Sequence, residues 1–521
     1  MFWADTLADK IIKSGKYKPY HVDDMKTPSG IAHVGSLRGP IIHSVIYRAL
    51  KDQGTESKFT FVINDFDPAD ELPPEYKDKF NQYLGFPLRS VPSPDNKFDS
   101  LGSFLANDFI STFIKLGVEA KILSSWDMYH QGKFDDVIKT ALDHAEKIQD
   151  IYQMVSGSKK REKGWLPFQT ICESCGKIGT TKVYKWDGSK VYYTCEPNMV
   201  VWAKGCGHSG SISPFGGRGK LPWKVDWAAH WKVMGVTIEG AGKDHASKGG
   251  SYDIAMELCK KVFNYPDPFK LPYEFILFGG KKMSSSKGIG FKAHDIVKIL
   301  PAEIARFLFV RTDYKEASNF DPINSMAIPD LFDEYDRCWQ AFNNNDKFLG
   351  RIFEYSQVKD KINKQKNIFI PRFRDVANYL QLPNIDIEQR FEAIKGNKLI
   401  KFEKIILKER IVYARIWIDK FAPAEYKTQM SEILPDQVKQ LNSDQKQYLK
   451  KAIDLLNKDM EAQELQVSLY NLAKQSNLEI KKAFAAIYLC LIGREFGPRA
   501  GWFLKQYPKE DVIKRLKEAT E

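Results

Sequence analysis

Leu37, Ile41, Val45 and Leu50, flanked by Ile42, Ile46 and Ala49, recur at the spacing of one helix face. Gly54 closes this segment, and Ser36 stands where a helix N-cap would be. The next apolar run, Lys58-Phe59-Thr60-Phe61-Val62-Ile63, is compact and β-rich and ends at Asn64-Asp65. Val118 to Leu123 predicts a further strand. Phe134 to Val155 predicts one long amphipathic helix, with Val137, Ala141, Ala145, Ile148 and Ile151 on a single stripe. Strands separated by helices imply a parallel, doubly wound α/β sheet.

The pattern breaks near Gly157. From there to about Trp223 the chain is rich in Gly, Ser, Lys and Cys. Lys182 to Trp186 and Lys190 to Thr194 are short β-like pieces, and Asp187-Gly188 between them is a hairpin signal. This stretch reads as an insertion. The α/β pattern resumes with Trp227 to Glu239, a helix from Gly250 to Phe263, and a strand at Tyr273 to Phe278. Beyond Gly288 the β signals fade. Pro301 opens a helix at its first turn, and amphipathic helices with Lys and Glu on their outer faces continue to Glu521.

A chain of 521 residues favours several domains over one. The net charge of +12 suits a polyanionic partner, although charge alone is a weak signal. The N-terminal residues Met1 to Asp5 lack the basic and apolar pattern of a secretion signal. The longest apolar run, Ala483 to Ile492, is too short to span a bilayer and predicts a buried helix, so no membrane partner is expected. Seven cysteines in so long a chain do not make a disulfide framework, and a reducing cytoplasm is the expected compartment.

Four segments carry candidate chemistry. In Lys282-Met283-Ser284-Ser285-Ser286-Lys287-Gly288, two ammonium groups flank three hydroxyls, as a polyphosphate-holding loop needs. Pro28 to Ser36 offers Gly30 and Gly35 for close approach of a nucleotide to the backbone, His33 as a donor to a phosphoryl oxygen, and Ser36 as a further donor. Gly240-Ala241-Gly242-Lys243-Asp244-His245 adds a glycine-rich turn and an acceptor, Asp244, suited to ribose hydroxyls. Cys172-Glu173-Ser174-Cys175, followed by Cys195, Cys206 and His208, has the spacing of a structural zinc site. Cys172, Cys175, Cys195 and Cys206 are the first choice of ligands, with His208 the substitute for one of the last two. Each segment has a plainer reading as well: a solvated loop, a capped helix start, a glycine-rich turn, coincidental cysteines. Cys259, Cys338 and Cys490 stand alone in apolar or helical surroundings and predict core positions.

The glycine-and-histidine segment and the lysine-flanked heptad, in this order and this far apart, resemble the HIGH and KMSKS signatures of class I aminoacyl-tRNA synthetases. Within that class the chain is similar to the class I lysyl-tRNA synthetases over nearly its whole length. The matching pieces are Trp3-Ala4-Asp5, Thr27-Pro28-Ser29-Gly30, His33-Val34-Gly35, Asn64 to Pro68, Val225-Asp226-Trp227, Gly242 to His245, the heptad, and Gly497-Pro498-Arg499 with Gly501. Departures stand beside them. Ser36 replaces the second histidine of HIGH, and Ser285 the second lysine of KMSKS, whose charge Lys287 can supply. Met25 occupies a position where the resemblance leads one to expect glycine, and Gly39 one where glutamate is frequent.

The resemblance implies a lysine–tRNA ligase that activates lysine with Mg2+-bound ATP and transfers it to the terminal adenosine of tRNA-Lys. It implies a Rossmann-type parallel-sheet catalytic domain with a zinc-ribbon-like insertion, then an all-α anticodon-binding region. The expected divisions are 1–156 and 224–298 for the two catalytic halves, 157–223 for the zinc insertion, 299–350 for a stem-contact region, and 351–521 for a helical cage. His33, Lys282 and Lys287 would be catalytic. Gly30, Gly35, Ser36, Gly242, Asp244, His245, Met283, Ser284 and Ser285 would hold ATP. Thr27 and Trp227 would form the lysine pocket, with Asp226, Glu239 and His245 as polar contacts. The acid- and Trp-rich segment around Asp226 favours a cationic substrate. Arg499 and Trp502 would stack unpaired tRNA bases. A monomer is expected. Two rivals are a glutamyl-type enzyme and a non-catalytic RNA-binding relative. The first would need cationic pocket residues; intact His33, Lys282 and Asp244 argue against the second.

Overall fold

The computed structural model describes residues 2–159, 162, 164–283, 291–358, 368–381, 385–426, 430–476 and 478–521. It divides into two compact units, Met1–Asp321 with Glu334–Lys364, and Pro322–Asp333 with Gln365–Glu521.

In chain order the strands are β1 (Tyr20–Lys26), β2 (Ser57–Ile63), β3 (Lys121–Ser124), β4 (Gln169–Thr170), β5 (Thr181–Trp186), β6 (Val191–Cys195), β7 (Ser209–Ile212), β8 (Gly219–Lys220), β9 (Ile238–Gly242), β10 (Phe269–Tyr273), β11 (Ile276–Phe278), β12 (Lys281–Lys282) and β13 (Ser318–Asn319). The first unit is built on a parallel sheet ordered β10-β9-β1-β2-β3. β1 is central, which explains its burial from Tyr20 to Asp24. The helix Arg38–Asp52 crosses from β1 to β2, burying Ile41, Ile42, Val45, Ile46, Ala49 and Leu50 as its spacing predicts.

Four local expectations change. Ser36 is not a helix N-cap. It lies inside a short 3-10 turn, Val34–Leu37; the α-helix begins at Arg38 behind Leu37, with no side-chain cap. The long helix after Phe134 is two helices, Asp135–Asp143 and Ala145–Ser156, broken at His144 (φ −115°, ψ 27°). The strand predicted from Tyr273 to Phe278 is two strands of different sheets: β10 pairs with β9, whereas β11 joins β12 and β13. Pro272 fits β10 because β10 is an edge strand. Of the run from Val118 to Leu123, only its end is strand, since the Val118 N–H closes the preceding helix by donating to Phe113 O at 3.1 Å.

The insertion carries an antiparallel β5-β6-β7 sheet, with the predicted hairpin at Asp187-Gly188, and a β4–β8 pair. Its buried Phe168, Ile178, Val183, Val191 and Tyr193 are continuous with the core formed by Phe66, Tyr129, Trp227 and Trp231. The segment Glu334–Lys364 is anchored in the first unit. Arg351 reaches both Asp5 oxygens at 2.8 and 3.0 Å, and the buried Arg306 donates to Tyr355 O at 2.7 Å.

The second unit is helical. Its core includes Tyr448, Leu449, Leu469, Leu489, Leu491, Phe503, Val512 and Leu516. Ala483 to Ile492 is the buried helix that its apolar run predicts. Cys259, Cys338 and Cys490 are all buried, as expected of core thiols. No helix among the described residues is long and apolar enough to cross a membrane.

Candidate active site and cysteine cluster

Two neighbouring cavities lie around the C-terminal ends of β1 and β9, where open α/β sheets bind ligands. The larger, of about 630 Å3, is lined by Thr27, Asp67, Lys220, Asp226, Trp227 and Glu239 among others. The smaller, of about 280 Å3, is lined by His33, Gly35, Ser36, Asp244, Phe275 and Met283 among others. Asp24, Met25, Lys26, Gly242, His245 and Tyr273 line both.

The smaller cavity unites three segments far apart in sequence. Val34 N–H donates to Phe291 O and Ala293 N–H to Ala32 O, each at 2.8 Å, and His33 bridges to Lys292. The histidine segment is thereby stitched to the chain just beyond the heptad. Gly35 stands in close quarters at this junction. A Cβ there would stand 3.0 Å from both the His33 ring and Met283 Cε. Asp244 is exposed at the rim, and His245 sets its ring edge-on to Trp223 and Trp227. Gly30 lines neither cavity. Lys282 ends β12 beside Met283, whereas Ser284, Ser285 and Lys287 lie outside the described residues.

The larger cavity is rich in carboxylates. Lys220, wholly buried, places Nζ 2.5 Å from Asp67 Oδ1 and 3.2 Å from Asp226 Oδ2. Burial alone would lower the pKa of this ammonium, but Asp226 and Asp67 outweigh it and raise the pKa. Tyr129 donates its hydroxyl to Asp226, and Thr27 Oγ1 donates to Asp67 Oδ2 at 2.5 Å. Trp227 Nε1 donates to Glu239 Oε1 at 2.8 Å, and Trp231 Nε1 to Oε2. Burial, with Asp23 nearby, pushes the Glu239 carboxyl well above its ordinary range. Asp24 is also buried, and burial pushes its carboxyl up to about 6.

Lys220, Asp24, Lys26 and Tyr273 did not emerge from the sequence as site residues. Asp23-Asp24 offered only a pair of adjacent acids, because Tyr20–Lys26 carries no strand pattern and its burial follows from the sheet order. Lys220 had none, because its partners lie 153 and 6 positions away and the turn of chain that joins them is tertiary.

In the insertion, one sulfur from each of Cys172, Cys175, Cys195 and Cys206 lies within 4.8 Å of all the others. Cys172 and Cys206 are 3.6 Å apart, Cys175 and Cys195 3.7 Å. Tetrahedral zinc with Zn–S bonds of about 2.3 Å would separate its sulfurs by about 3.8 Å. The donor set therefore fits that ion. The His208 backbone N–H holds the Cys206 thiol down at about 6, whereas burial raises Cys172 and pushes Cys175 up to about 12, so those two thiols would lose their protons only to a bound metal. His208 contributes through its backbone, and its ring is not part of the four-sulfur group.

In the second unit the exposed Arg499 guanidinium lies over the half-buried Trp502 ring, 5.2 Å from its centroid.

A family profile described as "tRNA synthetases class I (K)" matches residues 1–359, and one described as an anticodon binding domain matches residues 406–520. A lysine–tRNA ligase of Archaeoglobus fulgidus is 32% identical over 522 residues, covering 100% of each chain. A lysine–tRNA ligase of Methanocaldococcus jannaschii is 36% identical over 543 residues, covering 99% of each. A third, lysine–tRNA ligase 1 of Methanosarcina acetivorans, is 32% identical over 544 residues, covering 100% of this chain and 98% of its own.

Proposed function

The chain belongs to the class I lysyl-tRNA synthetases, and from that premise we infer how its residues divide the work of lysine–tRNA ligation. The enzyme activates lysine with ATP and transfers it to the terminal adenosine of tRNA-Lys. The observation that carries the division of labour is the pair of adjoining cavities.

ATP occupies the smaller cavity. Gly35 and Gly242 let the nucleotide approach the backbone, Asp244 accepts from the ribose, and Ser36, Ser284 and Ser285 donate to phosphate oxygens. His33, Lys282 and Lys287 stabilise charge on the α-phosphate as the lysine carboxylate attacks and pyrophosphate leaves. Mg2+ arrives with ATP and neutralises the leaving phosphates. Lysine occupies the larger cavity, walled by Thr27, Asp226, Trp227 and Glu239. No protein nucleophile is required; positioning and charge stabilisation suffice.

Cys172, Cys175, Cys195 and Cys206 hold a structural zinc that fixes the insertion. Arg499 and Trp502 stack tRNA bases within residues 351–521, and residues 299–350 contact the tRNA stem.

The test is lysine-dependent ATP–pyrophosphate exchange, run with and without tRNA against all twenty amino acids. Lysine alone should support exchange; glutamate-dependent exchange would overturn the lysine assignment. Lys282→Ala should lower kcat for adenylate formation by roughly 100-fold or more while leaving the lysine KM in place. Normal exchange in that variant would remove Lys282 from the mechanism.

A further inference from the structure

The three buried carboxylates that line the cavities differ in what already satisfies them. Asp226 receives Lys220 and Tyr129. Both oxygens of Glu239 accept indole N–H groups. Asp24 is different. Its Oδ1 accepts from the adjacent Met25 N–H at 2.9 Å, and His43 Nδ1 lies 3.6 Å from its Oδ2.

His43 is not a cation in this setting. Its Nε2 accepts the Gly240 N–H at 2.7 Å, so that nitrogen keeps its lone pair. Its Nδ1 lies 2.7 Å from Gly39 O and spends its proton there. An imidazole with one accepting and one donating nitrogen is neutral. Burial raises the Asp24 pKa most; the nearby His43 ring lowers it, Asp23 in the same strand raises it, and Lys26 lowers it least.

The surroundings hold the Asp24 carboxylate toward open space. A Cβ at Gly39 would stand 2.8 Å from Asp24 Oδ2 and 3.0 Å from the Tyr273 hydroxyl. Gly39 therefore leaves room for a carboxylate and a hydroxyl to converge, and both residues line both cavities. A buried carboxylate is costly without a charged partner. The substrate brings two ammonium groups into this space.

We propose that Asp24, with the Tyr273 hydroxyl beside it, is a substrate-binding residue that receives an ammonium group of the substrate lysine. The inference rests on the lysine–tRNA ligase reading and deepens it.

Asp24→Asn keeps the shape and removes the charge. In lysine-dependent pyrophosphate exchange with tRNA present, its lysine KM should rise roughly 10- to 100-fold, with the ATP KM moving by less than about 2-fold. Competitive inhibition then identifies which ammonium is bound. Weaker inhibition by ε-aminocaproate, which lacks the α-ammonium, assigns Asp24 to the ε-ammonium. Weaker inhibition by norleucine, which lacks the ε-ammonium, assigns it to the α-ammonium. Gly39→Ala is the second variant. Its added methyl displaces the carboxylate and should raise the lysine KM in the same selective way. An unchanged lysine KM in a folded Asp24→Asn enzyme, or lysine and ATP constants rising together, would overturn the proposal. Failure of the parent chain to use lysine at all would instead overturn the ligase reading.

Discussion

The cysteine cluster and the larger cavity are both places where polar groups converge inside one unit, yet they are built in opposite ways. The cluster draws on residues 172 to 206, within one insertion, and brings its sulfurs within 4.8 Å of one another. The cavity draws on Asp24, Asp67, Lys220, Asp226, Glu239 and Tyr273, from one end of the catalytic region to the other. A site made of near neighbours depends on local turns that bring its side chains together. A site made of distant residues depends on sheet order and on pairing between its own charges. The two are also coupled: β8, which carries Lys220, pairs with β4 just before the Cys172 knuckle.

The largest effect should come from breaking the cluster. Cys172→Ser should release zinc and open residues 157–223 to protease, because a structural zinc contributes on the order of 10 kcal/mol. Metal analysis and limited proteolysis measure this directly. Exchange activity should fall as well, since Gln169 and Lys220 line the cavity.

Next comes Lys220→Met, which leaves Asp67 and Asp226 without their shared cation. Removing one partner of a buried ion pair costs about 3–5 kcal/mol. Thermal unfolding should show the loss, and adding Asp226→Asn should recover part of it. Full stability in the single variant would show that the carboxylates do not need Lys220.

A smaller change of opposite sign is expected at Asp24. Its carboxyl stands at about 6 in the fold against an ordinary 3.8, so the folded chain holds a proton that the unfolded chain has released between those values. The cost of keeping Asp24 ionised is thus fully present above about pH 6 and fades as pH falls toward 3.8. Asp24→Asn should raise stability at neutral pH by about 1–3 kcal/mol, with little gain in acid. Denaturant titrations across pH read this out. Greater stability beside a poorer lysine KM would mark a group retained for binding rather than for folding.

Ser36→Ala should do least to the fold. Ser36 caps no helix, so unfolding should shift by no more than roughly 0.5 kcal/mol. Any effect should appear in the ATP KM, which separates phosphate donation from helix capping.

Much of this architecture is legible along the chain because it is local. The apolar face of Arg38–Asp52, the Asp187-Gly188 hairpin and the buried Ala483-to-Ile492 helix follow from period, turn chemistry and hydropathy. The misreadings occur where local signals run on without a stop. Nothing in the stripe from Val137 to Ile151 marks the break at His144, and nothing in Tyr273 to Phe278 marks a change of sheet. Ser36 is a good cap by type, but the turn Val34–Leu37 delays the helix past it.

By itself, the sequence determined the family, the alternation of strand and helix, and which four cysteines would cluster. These rest on short-range patterns, and a residue's type and near neighbours are enough to express them. Only the tertiary structure decided which carboxylates are already answered. Asp226 and Asp24 look alike in sequence, yet Lys220 pairs with one while a neutral His43 faces the other. Whether a buried charge is satisfied depends on distances across strands, and those exist only once the chain has folded.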